Sequence, residues 1–528
     1  MPTGTKAQHD VIVIGAGHNG LVAACYLAKA GLKVLVVEAS PRLGGMSTTE
    51  ALIPEAPDHL INPCAVDMIL LRASSIVADL GLARYGFALS EVDPPFVHLD
   101  PDGDSLAIWR DPVRTADEIR RFSAKDATAY LELAELMDVA LDVGMPYLTA
   151  HATRPGARVV ARGLAQGGRH ACQLARLLPM LRRSTAELIT DRFEHPMVQA
   201  PLAVLTGLGP ITAANSGAYL MVYGLVHRLG VARIVGGTQR LPDALAQCLA
   251  EAGGTVRTSA PVREITVAGG RVTGVRLSSS EEIAAPVVVA ACDPRTTLTQ
   301  LLPSGSLPAR TRRRAMAIPT TNGNLASFKV DVALRGQLRL RRFQARRPDS
   351  LDLRVPTALI GNLDEVCDAH ARAADGDLPT TQPMYGVIPT AADPSQAPAG
   401  QDTLYLWQGW VPGEPRERWA TEAEAIGKSI FTEAARYYEG LEDLELGRAV
   451  EAWPALVDRT NSRDGNLFHV DIRPARMGPM RPAPGLGGYR TPVKGLVLSG
   501  NGTHPGSGVS GLSGKHAAAT VLRSRRHQ

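Results

Sequence analysis

The amino terminus carries the feature that most narrows the fold. Asp10-Val11-Ile12-Val13-Ile14 is a short β-branched run, the pattern of a strand buried on both faces of a parallel sheet. Gly15-Ala16-Gly17-His18-Asn19-Gly20 follows at once, and Leu21 to Ala30 has helical apolar spacing with Gly31 placed to end it. Lys33-Val34-Leu35-Val36-Val37 reads as a second strand, closed by Glu38, 23 residues after the first glycine. A GxGxxG between strand and helix, with an acid at that distance, is the fingerprint of a βαβ unit that binds a dinucleotide. Gly15 permits the tight turn, Gly17 lets a pyrophosphate approach the backbone, and Gly20 lets the helix close on the strand. The helix N-terminus offers unpaired N–H groups and partial positive charge to the phosphates. Glu38 can accept two ribose hydroxyls and would repel a 2′-phosphate, which disfavours NADP.

The next residues narrow the ligand. Glu38-Ala39-Ser40-Pro41-Arg42-Leu43-Gly44-Gly45 reads ExxxRxGG. Here the chain resembles the two-dinucleotide-binding-domain flavoproteins, the superfamily of amine oxidases and phytoene desaturases. The resemblance implies FAD rather than NAD, with Arg42, Gly44 and Gly45 against its diphosphate and ribityl chain. Near the other end, Leu496-Val497-Leu498 runs into the glycine-rich loop Ser499 to Gly511, followed by a helical pattern from Lys515 to Leu522. Such a loop brings backbone N–H groups close to a bound anion or ring carbonyl. Its Gly502-Thr503-His504-Pro505-Gly506 segment resembles the carboxy-terminal motif of the phytoene desaturase branch. That resemblance implies that Gly500, Gly508 and Val509 complete the FAD site beside the isoalloxazine. Gly236 to Leu245 resembles a further segment of the family, and Val262, in the ribbon that follows, is implied as a backbone contact to the adenosine.

The rest of the chain sets the organisation. At 528 residues the length suits two to four domains. A hydrophobic content of 45% and charged content of 20% exclude a disordered chain, a coiled coil and a collagen-like fibre. The net charge of +4 is too balanced to make nucleic acid the default partner. Cys25, Cys64, Cys172, Cys248, Cys292 and Cys367 form no CxxC pair. That argues against zinc, an iron–sulfur ligand set or a redox dithiol, so no metal is expected. Separate thiols and a polar Met1–Asp10 make a cytoplasmic protein the simplest reading. The expected fold class is α/β: a Rossmann-like FAD-binding domain, a parallel sheet with helices, plus a mixed α+β substrate domain built from insertions. The FAD-binding domain is read as discontinuous, from 1–110, 231–295 and 485–528. The substrate domain takes 111–230 and 296–484. Thr255 to Leu277 reads as strand, Gly269-Gly270 turn and strand. Met197 to Val226 lacks formal charge but carries too many helix breakers for a good membrane span, so it is read as core or as the wall of an apolar substrate cavity.

Arginines cluster from Arg154 to Arg192, at Arg312 to Arg314 and from Arg339 to Arg347. They read as a solvated face or as a patch for peripheral contact with an anionic membrane; no clear amphipathic anchor helix is visible. There is no second GxGxxG to dock a nicotinamide and no dithiol relay, so direct oxidation of substrate is expected, with hydride passing to flavin N5. Oxygen or a quinone would then reoxidise the flavin. The Thr-His-Pro-Gly segment and Gly465-Asn466-Leu467-Phe468-His469 resemble the phytoene-dehydrogenase-related proteins more than the amine oxidases. The resemblance implies dehydrogenation of CH–CH to C=C on an apolar or partly apolar small molecule. Carotenoid-type isomerases and a saturase in the same branch leave the direction open, and an amine or C–N oxidase is the alternative. GDP-dissociation inhibitors, which share the architecture without a flavin, give a reading of another class: a lipid-binding module. His504, placed beside the flavin by its motif, and His469 are the candidate proton acceptors, each with a purely structural alternative. Lys329 and Arg463 are weaker candidates, for which surface placement suffices.

Overall fold

The computed structural model describes residues 8–526 apart from 208, 416–418 and 507. Met1–Ala7, Leu208, Ser507, His527 and Gln528, which belong to segments read above, lie outside the described residues. A five-stranded parallel sheet holds Leu496–Leu498, Val288–Ala290, Val11–Ile14, Val34–Val37 and Thr255–Arg257, in that spatial order. The inner strands are apolar along their whole length because both faces are covered. Val11, Val13, Val34 and Val36 pack against the helix side, with Leu21, Leu245 and Ala517. Ile12, Ile14, Leu35 and Val37 pack on the opposite face, with Ile265, Val272 and Val275. The chain moves outward from Val11–Ile14 to Thr255–Arg257, then returns to Val288–Ala290 on the other side. The reversal therefore falls between Val11–Ile14 and Val288–Ala290, and the crevice beyond their carboxyl ends is where such sheets take a ligand.

Helix His18–Lys29 rises directly from the glycine turn and packs on helix Leu512–Arg525. The approach is close enough to need a glycine: a Cβ on Gly514 would lie 2.1 Å from the Asn19 carbonyl oxygen. The ribbon expected over Thr255–Leu277 is divided. Thr255–Arg257 pairs in parallel with Leu35–Val37, while Val262–Ala268 and Arg271–Leu277 form a separate antiparallel hairpin around Gly269 and Gly270. Pro261, which has no N–H to give a ladder, stands at the break.

The second sheet has seven strands, in the order Glu445–Glu451, Leu325–Leu334, Asp402–Pro412, Met384–Val387, Thr357–Ile360, Phe96–Leu99 and Ser105–Ile108. Its last two strands come from the segment 1–110 read as nucleotide-binding. Phe96, Val97, Leu99, Leu106 and Ile108 are buried there on both faces, and Thr357–Leu359 pairs in parallel with Phe96–His98. Helices between 112 and 229 cover one face. From them Val198, Leu202, Val204, Leu220 and Tyr223 enter the core, joined by Ile211 from the turn between two of them. Met197–Val226 is thus largely interior packing. Among the described residues no helix is long and apolar enough to cross a membrane.

Candidate active site

A cleft of ≈420 Å³ opens at the switch point of the parallel sheet. Gly15, Gly17, Gly20, Glu38, Arg42, Gly44, Gly45, Val262, Gly500 and His469 all line it, so the structure gathers most of the residues singled out from sequence. Gly15 turns the chain with φ +96°. Gly17 precedes the first helix with no side chain capping it, which leaves the first-turn N–H groups directed at the cleft. Gly17 and Gly44 are bridged, Gly44 N donates to Ala16 O at 3.0 Å, and Gly44 and Gly45 have φ +120° and +60°. These turns form a backbone cradle without side chains. A Cβ on Gly17 would meet no protein atom nearer than 3.9 Å, whereas one on Gly20 would lie 2.0 Å from Gly15 O. The first glycine faces open cleft and the second faces protein, as a diphosphate site requires. Glu38 sits at the tip of its strand, its carboxylate accepting from Ala16 N at 2.6 Å and Ser40 N at 2.9 Å. This cradle, acid and helix end fit a dinucleotide diphosphate and ribose.

Towards the inner end lie Asp293, His469 and Asn501. Asp293 caps the turn that follows its strand through Oδ1, at 2.7 Å from Thr296 N, while Oδ2 is buried without a partner. Burial pushes its carboxyl up to about 6. His469 has a left-handed backbone, φ +60°, and a buried, unpartnered Nδ1. Burial, then the nearby Arg481 charge, push the imidazole down to about 4, so it is neutral at pH 7. Arg481 was not legible as a site residue. It is fully buried and donates to the carbonyls of Phe468, Val470, Asp471 and Asn501 at 2.9–3.3 Å. It thereby ties the His469 loop to the glycine loop.

His504 is not among the residues that line the cleft. It is buried on another side of its loop, with Nε2 3.2 Å from Tyr147 O and its own carbonyl accepting from Tyr489 Oη at 2.8 Å. The loop turns its imidazole toward the end of helix Ala124–Leu148 instead of the sheet. Gly508 and Val509 also stand outside the lining. The site a Gly508 Cβ would occupy is 3.6 Å from Leu70, and Val509 packs against the core under the first helix. Lys329 is buried, contrary to the surface placement that sequence suggested. Its Nζ donates to both Asp331 oxygens at 2.6–2.7 Å and to Asn62 O, 4.0 Å from the Tyr405 ring centre. Arg463 is half-buried beside Asp464.

The buried histidines give the fold a pH dependence. Burial pushes His18, His151, His370 and His469 down to about 4 and His516 to about 3. In the unfolded chain each returns to about 6.5. The unfolded state therefore takes up protons first, and stability falls as pH drops from about 7 toward about 4. Urea midpoints at about pH 7.5 and about pH 5 should show a clear loss at the lower value. An equal or higher midpoint there would contradict the neutral burial of these side chains.

The fold and cleft define a dinucleotide-binding architecture, and comparison with known proteins specifies it. Residues 13–68 match the family described as NAD(P)-binding Rossmann-like domain, and residues 180–522 match Flavin containing amine oxidoreductase. The chain is 30% identical over 559 residues to pyridine nucleotide-disulfide oxidoreductase domain-containing protein 2 of Mus musculus, covering 99% of this chain and 94% of that one. It is 28% identical over 531 residues to an all-trans-zeta-carotene desaturase of Myxococcus xanthus, covering 96% and 91%. A solved putrescine oxidase variant shares the fold with a TM-score of 0.61 at 18% identity, covering 98% and 99%. The chain belongs to the flavin-containing amine oxidoreductase family. It is a flavin-dependent oxidoreductase of the amine oxidase and phytoene desaturase superfamily.

Proposed function

We propose that this protein is an FAD-dependent dehydrogenase that converts CH–CH to C=C in an apolar or partly apolar small molecule, with oxygen or a quinone as final acceptor. The observation that carries the reading is the content of the cleft. Part of it is a diphosphate cradle with an acid for a ribose, and its lining also holds the neutral imidazole of His469. The relation to a carotene desaturase supports desaturation over oxidation of an amine. Bound in this cleft, the flavin supplies a two-electron acceptor for a hydride leaving carbon. The chain would hold it through the N–H groups after Gly17, the Gly44–Gly45 turn, Glu38 and the backbone near Val262. His469, which lines the cleft, would take the proton from the neighbouring carbon, and Arg481 would hold its loop in place through the Phe468 and Val470 carbonyls. The visible spectrum of the purified protein tests the cofactor reading. A yellow protein releasing about one FAD per chain is expected; a colourless one would favour a lipid-binding module without flavin.

The proposal includes peripheral contact with an anionic membrane surface. Between Asp142 and Glu187 the sequence has seven arginines and no acid. The structure forms an amphipathic helix here that was not evident from sequence, Ala157–Arg169, with Val160 and Leu164 exposed on one side and Leu178 exposed on the next helix. Exposed apolar side chains beside Arg158, Arg162 and Arg169, none of which forms an ion pair among the described residues, suit a lipid interface. Flotation with anionic but not zwitterionic vesicles is the test.

A further inference from the structure

A second cavity, of ≈450 Å³, lies beside the C-terminal helix Leu512–Arg525. Its wall carries Arg154, Arg490 and Arg523 and no carboxylate. Among the described residues none of the three forms an ion pair, although Lys515 and Arg525 of the same helix pair with Asp79 and Asp10. Arg490 donates to Ser524 Oγ at 2.9 Å, and the Nε of Arg523 is buried without any partner. Beyond burial, Arg154 and Arg490, which line the same cavity, each push the Arg523 guanidinium down. The floor is ordered by its own hydrogen bonds. His151, buried and neutral, lies with Nε2 3.1 Å from Thr520 Oγ1. The Gly487–Gly488 run lies against the segment at Thr153 so closely that a Cβ on Gly488 would be 2.9 Å from Thr153 Oγ1.

Three guanidiniums lining one cavity repel each other, and an anion among them would relieve that repulsion. A guanidinium also offers planar paired donors that match the oxygens of a phosphate. Three positive charges suit a phosphate dianion or a diphosphate better than a single carboxylate. We propose that this cavity is a binding site for a phosphate-bearing molecule, separate from the dinucleotide cleft, with Arg154, Arg490 and Arg523 taking the phosphate oxygens. The phosphate could belong to a free metabolite or to a lipid headgroup, and the same chemistry serves both.

Calorimetric titration of inorganic pyrophosphate into FAD-saturated protein at low salt tests the site. One site per chain is expected, weakening as salt is raised. Arg490→Gln and Arg523→Gln should each weaken it by about 10-fold or more. Arg490→Lys and Arg523→Lys, which keep the charge, should retain more of the binding and serve where a Gln variant fails to fold. Phosphatidylcholine vesicles containing phosphatidic acid are then added as competitor: displacement of pyrophosphate assigns the site to a headgroup, and no displacement assigns it to a free phosphorylated molecule. Absence of binding at millimolar pyrophosphate, or binding unchanged in the folded Arg490→Gln/Arg523→Gln double variant, would overturn the proposal.

Discussion

Gly17→Val yields a folded protein with little or no bound FAD. Gly17 has φ −66° and ψ 168°, an extended backbone that valine adopts without strain. The new side chain meets no protein atom close by and points into the cleft, where the diphosphate must approach. Each 1.4 kcal/mol of lost binding is about a tenfold loss of affinity, so even a modest clash empties the site. Gly20→Ala makes the opposite case. Its Cβ would lie 2.0 Å from Gly15 O and 3.2 Å from Ala291 Cβ, so the helix must shift away from the sheet. Overpacking of that kind costs about 1–3 kcal/mol, so this variant loses thermal stability as well as flavin. Circular dichroism melts and FAD released on denaturation separate the two. Stoichiometric flavin in folded Gly17→Val would show that the cradle is misassigned.

His469→Asn slows anaerobic reduction of the flavin by about 10²–10⁴-fold while FAD stays bound. Asparagine is chosen because it tolerates the left-handed backbone at this position, φ +60°, better than alanine does. Its amide cannot accept a proton at neutral pH. Protonation of this imidazole should add no inflection to the wild-type rate above about pH 5, since it is already neutral there. His504→Ala should reduce at close to the wild-type rate, because His504 faces Tyr147 and is not in the cleft lining. Unchanged reduction in His469→Asn would remove His469 from the role, and a large loss in His504→Ala with FAD retained would assign it to His504.

The βαβ unit was legible because its strands are buried on both faces and its glycines stand where backbone, not side chain, does the work. The same holds for the junction of Gly500 with the cleft, reached from the opposite end of the chain. Phe96–Ile108 was misplaced because nothing local tells a strand which sheet it joins: its partner, Thr357–Ile360, lies far along the sequence. Arg481, set between Met480 and Pro482, looks like surface in sequence; four backbone carbonyls brought together by the fold make its burial tolerable. Lys329 did carry a signal. Lys329 and Asp331 are two apart in a strand of alternating Val, so their side chains share one face and can pair. His504 was carried to the flavin by its motif alone, and loop direction is not written in a motif.

On the proposed function, electrons enter the flavin from a carbon substrate and not from a nicotinamide. The one recognised fingerprint is spent on the cleft at Gly15 to Glu38 and leaves no evident second dock. Anaerobic stopped-flow mixing with NADH and NADPH measures this directly at the flavin absorbance band. Both should leave the flavin oxidised over the time of the experiment. Fast, saturable bleaching by either nicotinamide would contradict it and make the protein a reductase or monooxygenase with a nicotinamide site of its own.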